Sequence, residues 1–216
     1  MSPQARRAVI FDLDGVLVDT AGLHWSAWQR LAERYGVPLD TRLEPHLRGL
    51  GRRESLDVIL DRADRVFSQA EKEAMAAEKN ADYVSLVDTL GPDDLLPGAR
   101  RALEASRARG LGVALGSASR NAPHVLVRLG IGDLFDYVVD AGSVSHSKPA
   151  PDIFQAAAAG LGLEAVACVG VEDAPAGVTA VKRAGMAAIG VGEPAHLSHA
   201  DLIIPAIAAY DPDTLP

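Results

Sequence analysis

Short apolar runs that alternate with helical patterns constrain the fold of this chain more than any other feature. Runs of three to five mostly apolar residues occur at positions 8–11, 111–115, 137–139, 166–169 and 187–191, with a sixth candidate at 202–204. Helical patterns lie between most of them, at positions 99–109, 122–129, 151–159 and 175–184. Strands buried on both faces have this apolar character, and their alternation with helices predicts a parallel sheet covered on both sides. We therefore predict an α/β protein built on a doubly wound, Rossmann-like parallel sheet.

Residues from about 21 to 90 break the alternation, because they contain no convincing strand. Three helices are predicted there, over 23–35, over 54–63 and from Ser68 toward residue 90, where Glu71 completes a capping box with Ser68. Gly91 and Pro92 then mark the return to the alternating pattern. We predict a core domain of residues 1–19 and 92–216, and an all-helical cap domain of residues 20–91 inserted after the first strand. Placed over the strand ends, such an insert would act as a lid.

The net charge and the cysteine content argue against several classes of function. The 216 residues carry a formal net charge of −8, which argues against general binding of nucleic acid or of anionic membranes. Cys168 is the only cysteine, so an intramolecular disulfide is impossible. The apolar run at 8–11 is too short for a signal peptide or a membrane span. We expect a cytoplasmic monomer whose partner is a small molecule.

Asp12 and Asp14 directly follow the first apolar run, in the stretch DLDGVLVDT. A D-x-D pair alone is a weak signal, since the chain has a second one, Asp211 and Asp213, which brackets a proline and is predicted to be a solvated turn. The first pair differs in context, because a buried strand ends there and Gly15 permits a sharp turn that points both carboxylates away from the sheet. The first pair is therefore the candidate site.

Three further polar segments are predicted to join this acid pair. They are GSAS at 116–119, Lys148 followed by Pro149, and GVED at 170–173. The first and the last follow apolar runs, and the carboxyl ends of parallel strands meet at one edge of the sheet. We therefore expect four segments that are distant in sequence to form one site.

This combination resembles the haloacid dehalogenase superfamily and, within it, the beta-phosphoglucomutase family. The supporting stretches are DLDGVLVDT, LRGLGRRESL, EKNADYVSLV, LGSASRNAP, SKPAPDIFQAAA and VEDAPAGVTAVKRAG. The second and third lie in the insert, so the resemblance is not limited to the site at the strand ends. It implies an enzyme that interconverts β-D-glucose 1-phosphate and glucose 6-phosphate through bound β-glucose 1,6-bisphosphate, with a phosphorylated sugar as its partner.

The resemblance also implies roles for individual side chains. The residue that matches Asp12 attacks phosphorus and becomes an aspartyl phosphate, and the one that matches Asp14 transfers the proton of the sugar hydroxyl as general acid and base. Lys148 and Ser117 are assigned to the transferring phosphoryl group, and His24 to a contact with Asp14. One Mg²⁺ ion is implied, held by Asp12, the backbone carbonyl of Asp14, Asp173 and, in support, Glu172.

A mutase handles a substrate with two phosphate positions, so the resemblance implies a second anion site. Arg52 is the candidate, with Ser119 and Asn121, because the planar fork of arginine suits phosphate; without the resemblance Arg52 reads as an exposed surface residue. Trp28 either packs inside the insert or lines the sugar pocket, and Lys79 by itself reads as a solvated lysine. The implied substrate-binding residues are Thr20, Trp28, Gly49, Arg52, Ser55, Lys79, Ala118, Ser119, Arg120 and Asn121.

Two other functions remain as alternatives. A sugar-phosphate phosphatase on the same framework would use water in place of a second sugar hydroxyl. A catalytically silent phosphosugar-binding protein would have lost one of four residues that are all present: Asp12, Asp14, Lys148 and Asp173. Dehalogenase activity and phosphonate cleavage are both disfavoured, because neither reaction requires the second aspartate that is present here as Asp14. Arg120 departs from the family, which usually has lysine there, so the charge is kept while the geometry changes.

Overall fold

The computed structural model describes residues 6–47 and 50–216. Within them the chain forms two compact units. The first unit combines the residues up to Asp19 with Gly91–Pro216, and the second unit is Thr20–Leu90. Gly49, an implied substrate contact, lies outside the described residues.

The first unit contains a six-stranded parallel sheet, as the alternating apolar runs predict. The strands are β1 Ala8–Phe11, β2 Gly112–Leu115, β3 Tyr137–Val138, β4 Cys168–Glu172, β5 Ala187–Val191 and β6 Leu202–Ile204. Their order across the sheet is β3-β2-β1-β4-β5-β6, and every neighbouring pair is parallel. This order confirms the predicted Rossmann-like α/β fold, since a doubly wound sheet reverses direction beside its first strand.

The helices of the described residues begin and end close to the predicted positions. In chain order they are α1 Ala21–Tyr35, α2 Glu44–Leu47, α3 Arg52–Leu60, α4 Gln69–Val87, α5 Ala99–Ala108, α6 Ala122–Leu129, α7 Asp152–Gly160, α8 Pro175–Arg183 and α9 Pro194–Leu197. Gly36 and Gly130 close α1 and α6 in the left-handed conformation, with φ of 65° and 63°, which glycine adopts without a steric penalty. Both endings agree with the sequence analysis, whereas the short helices α2 and α9 were not predicted.

The fourth strand differs from its predicted position in a way that affects the site. Ala165–Ala167 forms a 3₁₀ turn, so β4 begins at Cys168 and continues through Glu172. The prediction that the strand covers residues 166–169 is therefore wrong, because the apolar run extends into the turn that precedes the strand. Glu172 is consequently a strand residue that pairs in register with Gly190 of β5, and it is held more rigidly than a loop residue would be.

The site lies beside the two central strands of the sheet. β1 pairs with β2 on one side and with β4 on the other. Ala8 and Ile10 of β1 belong to a buried cluster with Phe154 of α7 and Val178 of α8. All four residues of β1 are 0% exposed, so both faces of the sheet are covered at this strand, and the polar groups that follow it start from a buried apolar base.

All regular structure among the described residues of the second unit is helical. Ser68 precedes α4, its side chain accepts a hydrogen bond from the Glu71 amide, and the Glu71 carboxylate accepts one from the Ser68 amide at 2.7 Å. This is the predicted capping box. A buried cluster holds the helices together and includes Leu31, Leu56 and Met75. Across both described ranges, none of the helices is long and apolar enough to cross a membrane.

Candidate active site

Asp12 and Lys148 form a buried ion pair at the end of β1. The Asp12 amide donates to the carbonyl of Val171 at 2.9 Å, which places this residue beside β4. Lys148 Nζ donates to Asp12 Oδ1 at 2.7 Å and to Glu172 Oε1 at 2.5 Å. The three side chains are at most 9% exposed. Because a buried charge is costly unless it is paired, each of these groups depends on the others.

The titration behaviour of the cluster reflects this dependence. Burial alone would lower the pKa of Lys148, but the charges of Asp12 and Glu172 and their hydrogen bonds outweigh it, so the pKa is raised. Burial raises the pKa of the Glu172 carboxyl, and the ammonium of Lys148 only partly opposes this effect. Burial together with the charges of Glu172 and Asp12 raises the pKa of Asp173. One ammonium therefore does not fully compensate the carboxylates around it.

Three of these carboxylates form a group that could hold a metal ion. One oxygen atom each from Asp12, Glu172 and Asp173 lies within 4.8 Å of the others. Mg²⁺ prefers hard oxygen ligands and is commonly bound by a few carboxylates together with water and substrate oxygens. Burial, and after it the charges of neighbouring carboxylates, raise the pKa of Glu172 and of Asp173, and a bound divalent cation would oppose both effects, so the donor set fits such an ion.

Two glycines leave the space that the carboxylates of Glu172 and Asp173 occupy. Gly15 has φ of +79°, and a Cβ atom built on it would lie 2.0 Å from Asp173 Oδ2. A Cβ atom on Gly177 of α8 would lie 1.9 Å from Glu172 Cδ. The Glu172 carboxylate also accepts hydrogen bonds from the amides of Asp173 and Ala174, at 3.1 and 3.2 Å. The position of Glu172 therefore depends on the absence of a side chain at Gly177.

Replacing Gly177 by Ala is expected to destabilise the protein by about 1–3 kcal/mol, the usual cost of overpacking a filled site. Glu172 is 1% exposed and has nowhere to move without breaking its bond to Lys148. The matched control is Gly22→Ala in α1, where a Cβ atom would meet nothing within 4 Å. That change should be neutral or stabilising, by up to about 1 kcal/mol. Urea unfolding measures both variants, and a Gly177→Ala variant as stable as the wild type would contradict the packing argument.

The loop after β2 contributes hydroxyl and amide groups beside Asp12. The Gly116 amide donates to the Phe11 carbonyl at 2.8 Å. Ser117 is the residue after Gly116 and Asp12 is the residue after Phe11, so this hydrogen bond joins the two segments that carry them. Ser117 is 2% exposed and its Oγ accepts from the Ser119 amide at 3.1 Å. Ala118 and Ser119 are half-buried, whereas Arg120 is exposed. The assignment of these residues to a phosphate group stays a prediction.

Asp14 lies in a tight turn that follows Asp12. It forms a bridge with Val18, the Gly15 amide donates to the Val18 carbonyl at 2.8 Å, and Val18 also bridges to Leu95. Asp14 is half-buried, unlike its neighbour Asp12. The metal group described above contains the side chain of Asp12 and not that of Asp14, so a metal contact of Asp14 through its carbonyl also stays a prediction.

The second unit brings together three residues that the resemblance singled out. Lys79 Nζ lies 2.8 Å from His24 Nδ1 and 4.6 Å from the centroid of the Trp28 ring. Lys79 is 2% exposed, so the reading as a solvated lysine is wrong. Trp28 belongs to the buried cluster of this unit, which supports a packing role. Thr20 and Ser55 are buried and Arg52 opens α3, but whether they contact substrate is untested.

Sequence reasoning missed two residues that the structure places in these clusters. The residues next to Gly177 in sequence do not indicate its role, because that role depends on the Glu172 carboxylate that packs against it in the folded chain. Tyr83 is fully buried and its ring stacks on His24, with centroids 4.0 Å apart. Its spacing from Lys79 on the same helix is four residues, which places both side chains on one face. That spacing was the signal available in the sequence.

The fold and the cluster at the ends of β1 and β4 define the class of protein. The chain matches the haloacid dehalogenase-like hydrolase family over residues 6–185. Since the match covers most of the sequence, the chain belongs to this family, as the superfamily resemblance predicted.

Individual relatives are similar across nearly the whole chain. A beta-phosphoglucomutase of Bacillus subtilis (strain 168) is 44% identical over 200 residues, 92% of this chain and 88% of that protein. The crystal structure of a beta-phosphoglucomutase from Clostridium difficile has a TM-score of 0.92 at 42% identity, covering 95% of this chain and 93% of that chain. A fructose-1-phosphate phosphatase of Escherichia coli (strain K12) is 35% identical over 186 residues, 85% of this chain and 95% of that protein.

Proposed function

We propose that the protein is an isomerase of the phosphoglucomutase type, which interconverts β-D-glucose 1-phosphate and glucose 6-phosphate. One observation carries the proposal: the 44% identity to the Bacillus subtilis beta-phosphoglucomutase extends over 92% of the chain. The part outside that match is far shorter than Thr20–Leu90, so the similarity also runs through this second unit. Fold and phosphate site alone do not determine a substrate. The match to the Escherichia coli fructose-1-phosphate phosphatase covers 85% of the chain and also runs through this unit, so it is the higher identity, 44% against 35%, that favours the mutase.

Asp12 is the proposed nucleophile. A carboxylate oxygen is a suitable nucleophile, and the hydrogen bond from Lys148 holds the Asp12 side chain in one orientation. Attack of the Asp12 carboxylate on a phosphorus atom of β-glucose 1,6-bisphosphate would form an aspartyl phosphate while the bond from phosphorus to the sugar oxygen breaks, and Asp14 would protonate that oxygen. A hydroxyl of a glucose monophosphate would then attack the aspartyl phosphate and give its proton to Asp14, which restores the Asp12 carboxylate. A carboxylate that approaches a phosphate group meets a repulsion of about 4 kcal/mol at about 4 Å and an effective dielectric of about 20. Lys148 offsets part of this repulsion with a full positive charge.

Mg²⁺ is the proposed cofactor, held by Asp12, Glu172 and Asp173 with the carbonyl of Asp14. When bound, it would neutralise the excess of carboxylate charge and stabilise negative charge on the phosphoryl oxygens. The residues of the chain perform the remaining tasks. Lys148 holds Asp12 and Glu172 in place, and the buried Ser117 hydroxyl and nearby amides are available to the phosphoryl group.

Asp14 is the proposed general acid and base toward the sugar hydroxyl. Asp14 is half-buried, whereas Asp12 is almost fully enclosed. We further propose that Arg52, Ser119 and Asn121 bind the second phosphate position. The helical unit would exclude water, and this protects an aspartyl phosphate from hydrolysis. β-Glucose 1,6-bisphosphate is the proposed intermediate that also phosphorylates the enzyme.

A product analysis tests the proposal against its alternative. The protein is supplied with β-glucose 1-phosphate, Mg²⁺ and a trace of glucose 1,6-bisphosphate, and glucose 6-phosphate and free phosphate are followed in separate assays. A mutase produces glucose 6-phosphate faster than free phosphate. The opposite order would refute the mutase and support a phosphatase, as would rapid hydrolysis of fructose 1-phosphate, the substrate that the name of the Escherichia coli relative specifies. Formation of neither product would refute both.

A further inference from the structure

The ammonium group of Lys79 lies between two aromatic rings inside the second unit. Its Nζ atom is 4.6 Å from the centroid of the Trp28 ring and 4.8 Å from that of the Tyr83 ring. A cation within about 6 Å of a ring face is attracted by the ring quadrupole, and the attraction grows as water is removed. Lys79 is 2% exposed, so its ammonium is largely desolvated. The two ring faces therefore favour the charged form where burial alone would favour the neutral amine.

The charged form of Lys79 determines which nitrogen of His24 carries the proton. Lys79 Nζ is 2.8 Å from His24 Nδ1. A lysine ammonium has three donors and no acceptor, so Nδ1 must accept this hydrogen bond. A neutral imidazole carries a single proton, which then resides on Nε2. Burial lowers the pKa of His24 well below its ordinary value, and the charges of Lys79 and Arg52 lower it further, so the ring is neutral near pH 7.

The ring of Tyr83 also fixes the orientation of the imidazole. The two rings stack with centroids 4.0 Å apart and an angle of 21° between their planes. His24 lies on α1 and Tyr83 on α4, and Tyr83 is fully buried. The Tyr83 ring thus contacts both partners of the hydrogen bond. It lies beneath the ammonium of Lys79 and stacks on the imidazole of His24.

We propose that Trp28 and Tyr83 are positioning residues that keep Lys79 charged and thereby hold His24 as a neutral imidazole with its proton on Nε2. His24 is then a hydrogen-bond donor of fixed direction toward an oxygen atom of a sugar phosphate or of a carboxyl group. The identity of that acceptor rests on the proposed function, whereas the tautomer does not. Lys79 thus acts through His24, in addition to any direct contact with substrate.

Nitrogen-15 NMR of the protein labelled at its histidines tests the proposal. The chain has 6 histidines, and a His24→Gln variant identifies the signals of His24. The wild type should show a neutral His24 with Nε2 protonated at pH 6 to 8, without any substrate. A His24 that is protonated on Nδ1, or that titrates as the exposed histidines do, would overturn the proposal. This measurement needs no variant at Tyr83 and is independent of folding defects.

Four substitutions separate the roles of the two rings, the hydroxyl and the cation. Tyr83→Phe keeps the ring face and should leave the tautomer of His24 unchanged. Tyr83→Leu and Lys79→Met remove the ring or the donor, and both should populate the form protonated on Nδ1. If Tyr83→Leu is folded and retains the wild-type tautomer, Tyr83 has no positioning role and the proposal fails for it. Trp28→Leu tests the second ring in the same way.

Activity supplies a second readout that distinguishes this proposal from the proposed function. With β-glucose 1-phosphate, Tyr83→Leu should lower kcat/KM by roughly 10- to 100-fold, the range expected for a misplaced catalytic group, while Tyr83→Phe should stay within about twofold. A protein that hydrolyses sugar phosphates instead would refute the mutase and leave the NMR result intact. Equal activity of Tyr83→Leu and Tyr83→Phe would refute the positioning role even in an active mutase.

Discussion

Replacing Asp12 by Asn is expected to abolish formation of both glucose 6-phosphate and free phosphate. An amide oxygen is a far weaker nucleophile than a carboxylate, and removal of a nucleophile costs on the order of 10⁶-fold in kcat in other enzymes. The substitution preserves shape and leaves an oxygen that can accept from Lys148. Loss of activity should therefore occur in a folded protein, which thermal unfolding verifies.

The chain offers a matched control for this experiment. Asp211 belongs to the second D-x-D pair, is exposed, and accepts a hydrogen bond from the Asp213 amide at 2.9 Å. Asp211→Asn should retain full activity, because an asparagine oxygen accepts that bond equally well. Wild-type protein incubated with glucose 1,6-bisphosphate should also acquire a phosphoryl group that mass spectrometry locates on Asp12. Measurable turnover by a freshly prepared Asp12→Asn variant, free of deamidated protein, would contradict the assignment of the nucleophile.

Replacing Lys148 by Met is expected to destabilise the protein by about 3–5 kcal/mol, the cost of removing one partner of a buried ion pair. Methionine fills a similar volume, but the buried carboxyl groups of Asp12 and Glu172 would lose the cation that donates a hydrogen bond to both. The matched control is Lys182→Met, since Lys182 pairs with Asp201 at 2.6 Å while 39% exposed. A surface pair of this kind contributes about 0–1 kcal/mol. Similar losses in the two variants would show that the buried pair is not a stabilising element.

The stability of Lys148→Met should also depend on pH in a defined direction. Burial raises the pKa of Glu172, and without the ammonium that opposes this effect it would rise further. A carboxyl with a raised pKa binds more protons in the folded state than in the unfolded state, so the free energy of unfolding falls as pH increases. In the presence of a chelator, the difference from the wild type should therefore be smallest near pH 5 and grow toward neutral pH. A constant difference across this range would contradict the argument.

Several features of this protein were determined by the sequence alone. The apolar run at 8–11 became β1 without any shift of its ends, and the pattern at 122–129 became α6. Ser68 and Glu71 form the predicted capping box, because its hydrogen bonds connect residues only three positions apart. Alternation of such elements restricts the topology to a doubly wound sheet. The acidic residues that follow the apolar runs therefore predicted that the cluster lies at the carboxyl ends of the strands.

The details of the two clusters were decided by tertiary structure. Lys148 reaches Asp12 and Glu172 across 136 and 24 positions of sequence, and no local pattern specifies which carboxylate an isolated lysine will contact. The apolar run at 166–169 gave the wrong start for β4, and only pairing with β1 and β5 defines the strand that holds Glu172.

Contacts between residues that are distant in sequence also explain the role of Gly177 and the burial of Lys79. Space for the Glu172 carboxylate exists because α8 approaches β4 at a residue without a Cβ atom. Lys79 reads as a solvated lysine in sequence, yet the rings of Trp28 and Tyr83 enclose its ammonium once α1 and α4 pack. Periodicity and capping act between near neighbours in the chain, and they determined the elements. Burial and charge pairing act between side chains from different elements, so only the folded chain determines them.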